Sequence, residues 1–368
     1  MKIAVIVTGG LHPSGREQVV PSWIELFSAL ATEHEIHAFV LRHLAEAQSY
    51  MLRGFHVHDL GRPAAPLGLT RKAQERALLQ AMDRHGRFDV VHGIWGDPAG
   101  QLAVRAGRRL GVSSIATCDS GEFESLPSIS YGSQRTARGR AAIAEALAAD
   151  AVHVCSAFMA AKAAAHGVIA TVIPLTTVHA AHRHRPLTPN APLRLIQVAS
   201  LSRVKNQRLL IDAIARIGSS VVSRVDLVGE DTLGGELQRH AAEMNVSDRV
   251  RFHGFTPHDE LTALYKGADI YVQTSLHEAA GVSVLEAAAA GLPVVGTRAG
   301  YVADWSPRRS IAIGADAHEL AQAISKLQRE PGRADAIASR AQKWSTANNV
   351  ATMAAKVDAL YRRTAGGL

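Results

Sequence analysis

Short apolar runs alternate along the chain with loops and with stretches whose apolar residues recur at helical spacing. KIAVIVTG (2–9), EIHAFVL (35–41), FHVHDLG (55–61), VVHGIWG (90–96), SSIATCD (113–119), AVHVCS (151–156) and TVIPL (171–175) read as short buried strands. Helical patterns fall between them near 17–31, 70–85, 98–110 and 134–148. Strands alternating with helices predict a parallel sheet covered on both faces. TTVHAAHRHRPLTPNAP (176–192) breaks the rhythm with proline, histidine and polar residues and reads as a linker. His179, His182 and His184 have no cysteine or carboxylate among them, which favours a solvated linker over a metal site. The pattern then restarts with LRLIQVAS (193–200), VSRVDLVGE (222–230), RVRFHGF (249–255), DIYVQTS (269–275) and PVVGT (293–297). The reading is therefore two successive doubly wound α/β domains, 1–180 and 190–346, and a last helix at about 347–364.

A length of 368 residues suits two domains, and 47% hydrophobic with 20% charged residues is an ordinary globular composition. The net charge of +7 is spread, with 19 Lys and Arg against 15 Asp and Glu in residues 1–190 and 21 against 18 beyond. No basic stripe for nucleic acid results, while a weak attraction to anionic lipid or phosphate ligands stays open. Cys118 and Cys155 each follow an apolar run and read as buried thiols in a reducing cytosol. MKIAVIVTGG has the length of a first strand, too short for a signal peptide or a membrane span.

In open parallel sheets, ligands bind beyond the carboxyl ends of the strands, near helix N-termini. Two such sheets facing each other would form a cleft. The unusual residues lie on those loops. TGGLHPSGREQV (8–19) carries three glycines ahead of a helix, a pattern that serves an anion or a tight turn. SLSRVKNQ (200–207) puts Arg203 and Lys205 just before a helix start, where cations are disfavoured unless an anion such as a pyrophosphate is present. HEAAGVSVLEAAAAGLPVVGT (277–297) holds Glu278 and Glu286, eight residues apart. Ser283 and Glu286 have capping-box spacing ahead of a helix from Val284 to Ala290, which makes Glu286 a cap. Gly281, Val282 and Ser283 offer backbone N–H groups, and Glu286 can also present an oxygen to ribose hydroxyls. No D-x-D, H-E-x-x-H or cysteine cluster occurs, so phosphate would be neutralised by side chains and helix dipoles with no metal.

The E-x7-E stretch from Glu278 to Glu286, followed by EAAAAGLPVVGTRAG, resembles the retaining nucleotide-sugar glycosyltransferases of family 4, with the GT-B fold. FDVVHGIWGDPAG (88–100), ADAVHVCSAFM (149–159), SLSRVKNQ and RVRFHGF are similar to successive segments of the same family, so the resemblance covers essentially the whole chain. It implies that Glu286 holds the ribose, Glu278 lies near the transferred sugar and Lys205 binds the diphosphate. It also implies that Gly15 is the second glycine of an N-terminal Gly-Gly loop and that the backbone near Phe255 supports the nucleobase. The last helix, 347–368, would cross back to the N-terminal domain, and acceptor loops would lie at 8–16, 61–70 and 119–133. Three positions depart from the family. Ser200 stands where an arginine is usual, with Arg203 as its stand-in; Asp119 stands where a histidine is usual; and LTTV (175–178) replaces Asn-Gly-Val-Asp.

The resemblance thus implies a metal-independent, cofactor-free transferase that moves a sugar from a nucleoside diphosphate to a glycan, lipid-linked or small-molecule acceptor. Glycan, polysaccharide or glycolipid synthesis in the cytoplasm, or at the inner face of a membrane, is the expected setting. Lys205, Arg203 and helix N-termini would stabilise the departing diphosphate, and Asp119 and Glu278 would position the sugar. Asp119 also fits an Asx-type cap of the turn before Gly121. A catalytically degenerate nucleotide-sugar binder and a GT-B epimerase remain as alternatives.

Overall fold

The structure is a computed structural model and describes residues 1–62, 70–177 and 186–366. The linker histidines, residues 63–69 of the second acceptor loop and Val178 of LTTV lie outside the described residues. The chain divides into two compact units, Met1–Val178 with Val350–Leu368, and His179–Asn349.

The first unit is built on an eight-stranded sheet in the order β3-β4-β2-β1-β5-β6-β7-β8. Its strands are β1 (Lys2–Val7), β2 (Glu35–Val40), β3 (Gln48–Leu52), β4 (Phe55–Asp59), β5 (Val90–Ile94), β6 (Ser113–Thr117), β7 (Ala151–Val154) and β8 (Thr171–Val172). All pair in parallel except β3, an antiparallel edge strand joined to β4 across Arg53 and Gly54, which both have positive φ. That two-residue turn suits the strand twist. The sheet is thus mixed where the hydrophobic pattern predicts a parallel one, because β3 is largely exposed and carries no apolar alternation. Further differences are local. The first helix begins at Pro21, whose fixed φ suits a first helical position, four residues later than predicted, after the loop has closed on a Leu11–Val19 bridge. A helix Ala157–Ala165, capped by Ser156 Oγ on Met159 N, adds to the predicted set.

One face of this sheet packs against the helix Pro21–Leu30 and the C-terminal helix Val350–Ala365, which supplies Met353, Val357, Leu360 and Tyr361 to the core. The C-terminal helix therefore crosses back to the first unit, as the resemblance implies. Tyr361 is fully buried and its hydroxyl lies 2.9 Å from His92 Nδ1 on β5. The other face packs under the helices Thr70–Asp83 and Gln101–Leu110.

The second unit has six parallel strands: β9 (Leu193–Val198), β10 (Val222–Val228), β11 (Val250–Gly254), β12 (Ile270–Gln273), β13 (Val294–Thr297) and β14 (Ile311–Ile313). Their order, β11-β10-β9-β12-β13-β14, reverses direction between β9 and β12, and at such a reversal the loops leaving neighbouring strands diverge to opposite faces. Five of the six strands match predicted runs; β14, only three residues long, was not anticipated. No helix among the described residues is long and apolar enough to cross a membrane. Cys118 and Cys155 are buried and not joined in a disulfide.

Replacing Tyr361 by alanine should remove about 3–5 kcal/mol of stability, because it empties a fully buried site and strips His92 of a partner. Urea unfolding of the whole chain measures this; an unchanged midpoint would mean that the C-terminal helix does not hold the first unit together.

Candidate functional site

In the second unit, the loops that leave β9 and β12 are tied to each other. The carbonyl oxygen of Lys205 accepts from Thr274 Oγ1 at 2.9 Å and from Gln197 Nε2 at 3.3 Å. Leu276 N donates to Val204 O at 2.8 Å. Asn206 adopts a left-handed conformation to start the helix Gln207–Ala215. These contacts place Lys205 Nζ 2.6 Å from Glu278 Oε1, which also accepts from Ser275 Oγ at 2.7 Å. Both charged side chains remain partly exposed, Lys205 at 25% and Glu278 at 14%. Lys205, Glu278 and Ser275 therefore form one solvent-reachable cluster at the carboxyl edge of the sheet. Arg203 is not brought to it: it is well exposed and pairs with Glu236 at 3.0 Å.

Glu286 differs from its predicted role as a cap. The helix runs Val282–Ala289 and starts at Gly281, whose φ of 90° is left-handed and whose Cβ, if present, would meet Gln273 Oε1 at 2.6 Å. Only glycine fits there. No side chain caps this helix start, and Glu286 sits inside the helix, buried. It accepts from Tyr265 OH at 2.8 Å and from His258 Nε2 at 2.9 Å. Ser283 Oγ lies 2.7 Å from Tyr271 OH. The capping-box spacing is therefore coincidental, because Gly281 moves the helix start two residues earlier. The carboxylate raises the pKa of His258 above its ordinary value through their hydrogen bond.

Phe255 follows β11 and is 77% exposed, a large apolar surface left at the same carboxyl edge. Ser200 lies on the exposed loop after β9, its carbonyl held by Gln207 Nε2 at 2.9 Å. Gly229, at the end of β10, is close to that loop: a Cβ there would meet Ala199 O at 2.1 Å. His258, Tyr265, Ser275 and Gly229 were missed in the sequence, where only the glycine after an apolar run gives any sign.

Gly15 and Asp119 belong to the first unit. Gly15, at φ 63°, closes a turn in which its N–H reaches His12 O at 2.9 Å and Ser14 Oγ accepts from Glu17 N at 3.1 Å. Asp119 follows β6. Its Oδ1 is buried without a hydrogen-bond partner among the described residues. Burial first, and then the nearby Glu122 charge, push its pKa up to about 7. The Asx-type cap is replaced by Glu122, which is 3% exposed and accepts from Ser120 N at 2.7 Å and Gly96 N at 3.1 Å. A cavity of about 350 Å³ in the first unit, lined by Thr8, Arg42, Arg71, Asp97 and Arg138, collects three guanidinium groups. Arg71 is paired with Asp97 at 2.7 Å, and Arg42 and Arg138 are exposed.

Residues 19–179 match the glycosyl transferase 4-like domain and residues 179–344 the glycosyl transferases group 1 family. The chain belongs to these glycosyltransferases, and its architecture is that of the GT-B fold. A D-inositol 3-phosphate glycosyltransferase of Corynebacterium jeikeium is 33% identical over 141 residues, 35% of this chain and 34% of that protein. One of the same description from Pseudarthrobacter chlorophenolicus is 26% identical over 305 residues, 74% of this chain and 71% of that protein. The chain thus spans about a third of the first relative's length and about seven tenths of the second's. The crystal structure of Anabaena HepE in complex with UDP and glucose shares the fold, with a TM-score of 0.76 over 99% of this chain and 100% of that one at 17% identity.

A histidine whose folded pKa is raised adds stability below its unfolded value, and that stability is lost as pH rises through the raised value. His258→Gln should therefore destabilise the protein more at pH about 5.5 than at pH about 9, as urea unfolding at both pH values would show. An equal loss at both would mean that the contact with Glu286 carries no charge.

Proposed function

We propose that this protein transfers a glycosyl group from a nucleoside diphosphate sugar to an acceptor hydroxyl with retention of anomeric configuration. The observation that carries this reading is the Lys205–Glu278 pair at the carboxyl ends of β9 and β12. An ammonium there suits a diphosphate, and a carboxylate beside it suits the hydroxyls of the sugar that the diphosphate carries. Gly281, Val282 and Ser283 start the nearby helix and add N–H donors and the positive end of its dipole. Glu286 offers its carboxylate to the ribose, and the exposed Phe255 segment supports the base. With Lys205 and a helix N-terminus facing the diphosphate, the leaving group is stabilised without a metal. Anabaena HepE, which shares the fold, was solved with UDP and glucose, in keeping with such a donor. Asp119, in the first unit, is the acceptor-side carboxylate of this reading, and the arginine-lined cavity of the same unit suits an acceptor bearing a phosphate or carboxylate. Work in glycan or glycolipid synthesis on the cytoplasmic side of a membrane fits this chemistry.

Lys205→Ala should lower transfer about a hundredfold with the fold unchanged by circular dichroism. The assay is a panel of UDP-, GDP-, ADP- and dTDP-sugars with and without EDTA, and EDTA should leave the wild-type rate intact. Sugar-nucleotide binding without any transfer would identify a degenerate binder, and loss of activity in EDTA restored by magnesium would refute the metal-free site.

The wild-type kcat/KM should rise with pH through about 7 as Asp119 ionises. Asp119→Asn should lower transfer far more than donor affinity and abolish that limb of the profile. A variant with the wild-type rate and profile would remove Asp119 from the site.

A further inference from the structure

The first unit carries a group of imidazoles that the transfer chemistry does not use. Parallel pairing sets His37 on β2 beside His56 on β4, and Phe39 beside His58, so the three histidines share one face of the sheet. The rest of that face is apolar, with Ala4, Ile6, Phe39 and Phe88 in the core. Ile36, Ala38, Phe55 and Val57 point to the opposite face. His85, in the turn after the helix Thr70–Asp83, closes over the group. Its ring centroid lies 4.1 Å from that of His58 and 5.0 Å from that of His37. His37 and His58 are only 3% and 5% exposed. Polar rings on an otherwise apolar face are costly unless their nitrogens are matched.

The matching follows a fixed order. Glu35 Oε1 lies 2.9 Å from His37 Nε2, and a carboxylate only accepts, so Nε2 carries the proton. The other nitrogen of the neutral ring, Nδ1, is then a lone pair, and it faces His58 Nε2 at 2.9 Å. His58 Nδ1 in turn meets Ser49 Oγ at 2.9 Å. Each of the two buried rings therefore turns one nitrogen towards the other histidine and has its far nitrogen held by an oxygen. Glu35 and Ser49 stand where outer partners of metal-bound imidazoles stand, fixing tautomer and orientation.

We propose that this cluster is a zinc site in which His37 Nδ1, His58 Nε2 and a ring nitrogen of His85 are the protein ligands. The three ligand atoms lie within 4.8 Å of one another. Two nitrogens on a tetrahedral zinc stand about 3.3 Å apart, so the widest pair closes by at most about 1.5 Å, within reach of side-chain rotation. The metal takes the place of the proton shared by His37 and His58. His58 moves its single proton to Nδ1 and donates it to Ser49 Oγ, so both rings stay neutral and no net proton is released. Imidazole is a good ligand for zinc, and water completes the coordination on the side where His56 and His85 are partly exposed. Lys2 Nζ, 2.9 Å from the same Glu35 oxygen, offsets that carboxylate's charge and moderates the affinity. The bound ion would join β2, β4 and the turn after the helix on the face opposite the C-terminal helix.

The test is calorimetric titration of zinc into the full chain with His179, His182 and His184 replaced by alanine, so that those histidines contribute nothing. One equivalent should bind with a dissociation constant of about micromolar, and cobalt in its place should give the visible bands of a four- or five-coordinate imidazole site. His85→Ala, at the partly exposed edge and checked for folding by circular dichroism, should weaken zinc at least tenfold. Glu35→Gln, which leaves every ligand in place, should weaken it about tenfold. Asp358→Asn, in the separate group of Glu33, His34 and Asp358, should change nothing. Absence of saturable binding, or an affinity that falls in Asp358→Asn but not in His85→Ala, overturns the proposal.

Discussion

The carbonyl oxygen of Lys205 is the point on which the second unit's candidate site depends. By accepting from Thr274 and Gln197 it locks the loop after β9 to the loop after β12. That bond is available only because β9 and β12 are neighbours at the reversal of the sheet, where two loops open side by side. The backbone of Lys205 is thus spent on structure, and its side chain is left to meet Glu278. The left-handed Asn206 and Gly281 make the same trade, ending each loop abruptly so that a helix N-terminus lies close to the strand end.

The two glutamates of the E-x7-E stretch have separate physical situations. Glu278 lies on the loop, partly exposed, against a cation and a hydroxyl. Glu286 is one turn inside a helix, buried, with a phenol and an imidazole on its oxygens. A charge at that depth is tolerable because its donors are already in place. Asp119 in the first unit is the contrasting case. Its Oδ1 is buried without a hydrogen-bond partner among the described residues, and burial with the nearby Glu122 charge makes its proton hard to remove. The neighbouring Glu122 instead accepts from the backbone N–H groups of Ser120 and Gly96.

The two faces of the first sheet are used differently. One is closed by apolar side chains from both ends of the chain, with polar ties that include His92 to Tyr361 and Ser113 Oγ to the carbonyl oxygen of Thr364. The other changes from an apolar core to a histidine cluster as it nears the start of the strands. Alternation along β2 and β4 makes this division possible, since adjacent residues on a strand serve opposite faces.

Much of this organisation is legible in the order of residues. Strands that are buried on both sides are rich in apolar residues, so β1, β9 and β12 stand out, and glycine marks the loops between them. Lys205 could be picked out because a cation is out of place where a helix begins, and the E-x7-E block through its resemblance to the family. An exposed edge strand such as β3 leaves no such mark, and Ser283 to Glu286 imitated a capping box because spacing alone does not say where a helix starts. Tertiary structure decided what those side chains touch. His258 and Tyr265 reach Glu286 from 28 and 21 residues away, Arg203 pairs with Glu236, and Glu122 holds the turn expected of Asp119. Sheet order and helix packing set those distances, and hydrogen bonds, which act only within about 3 Å, follow from them.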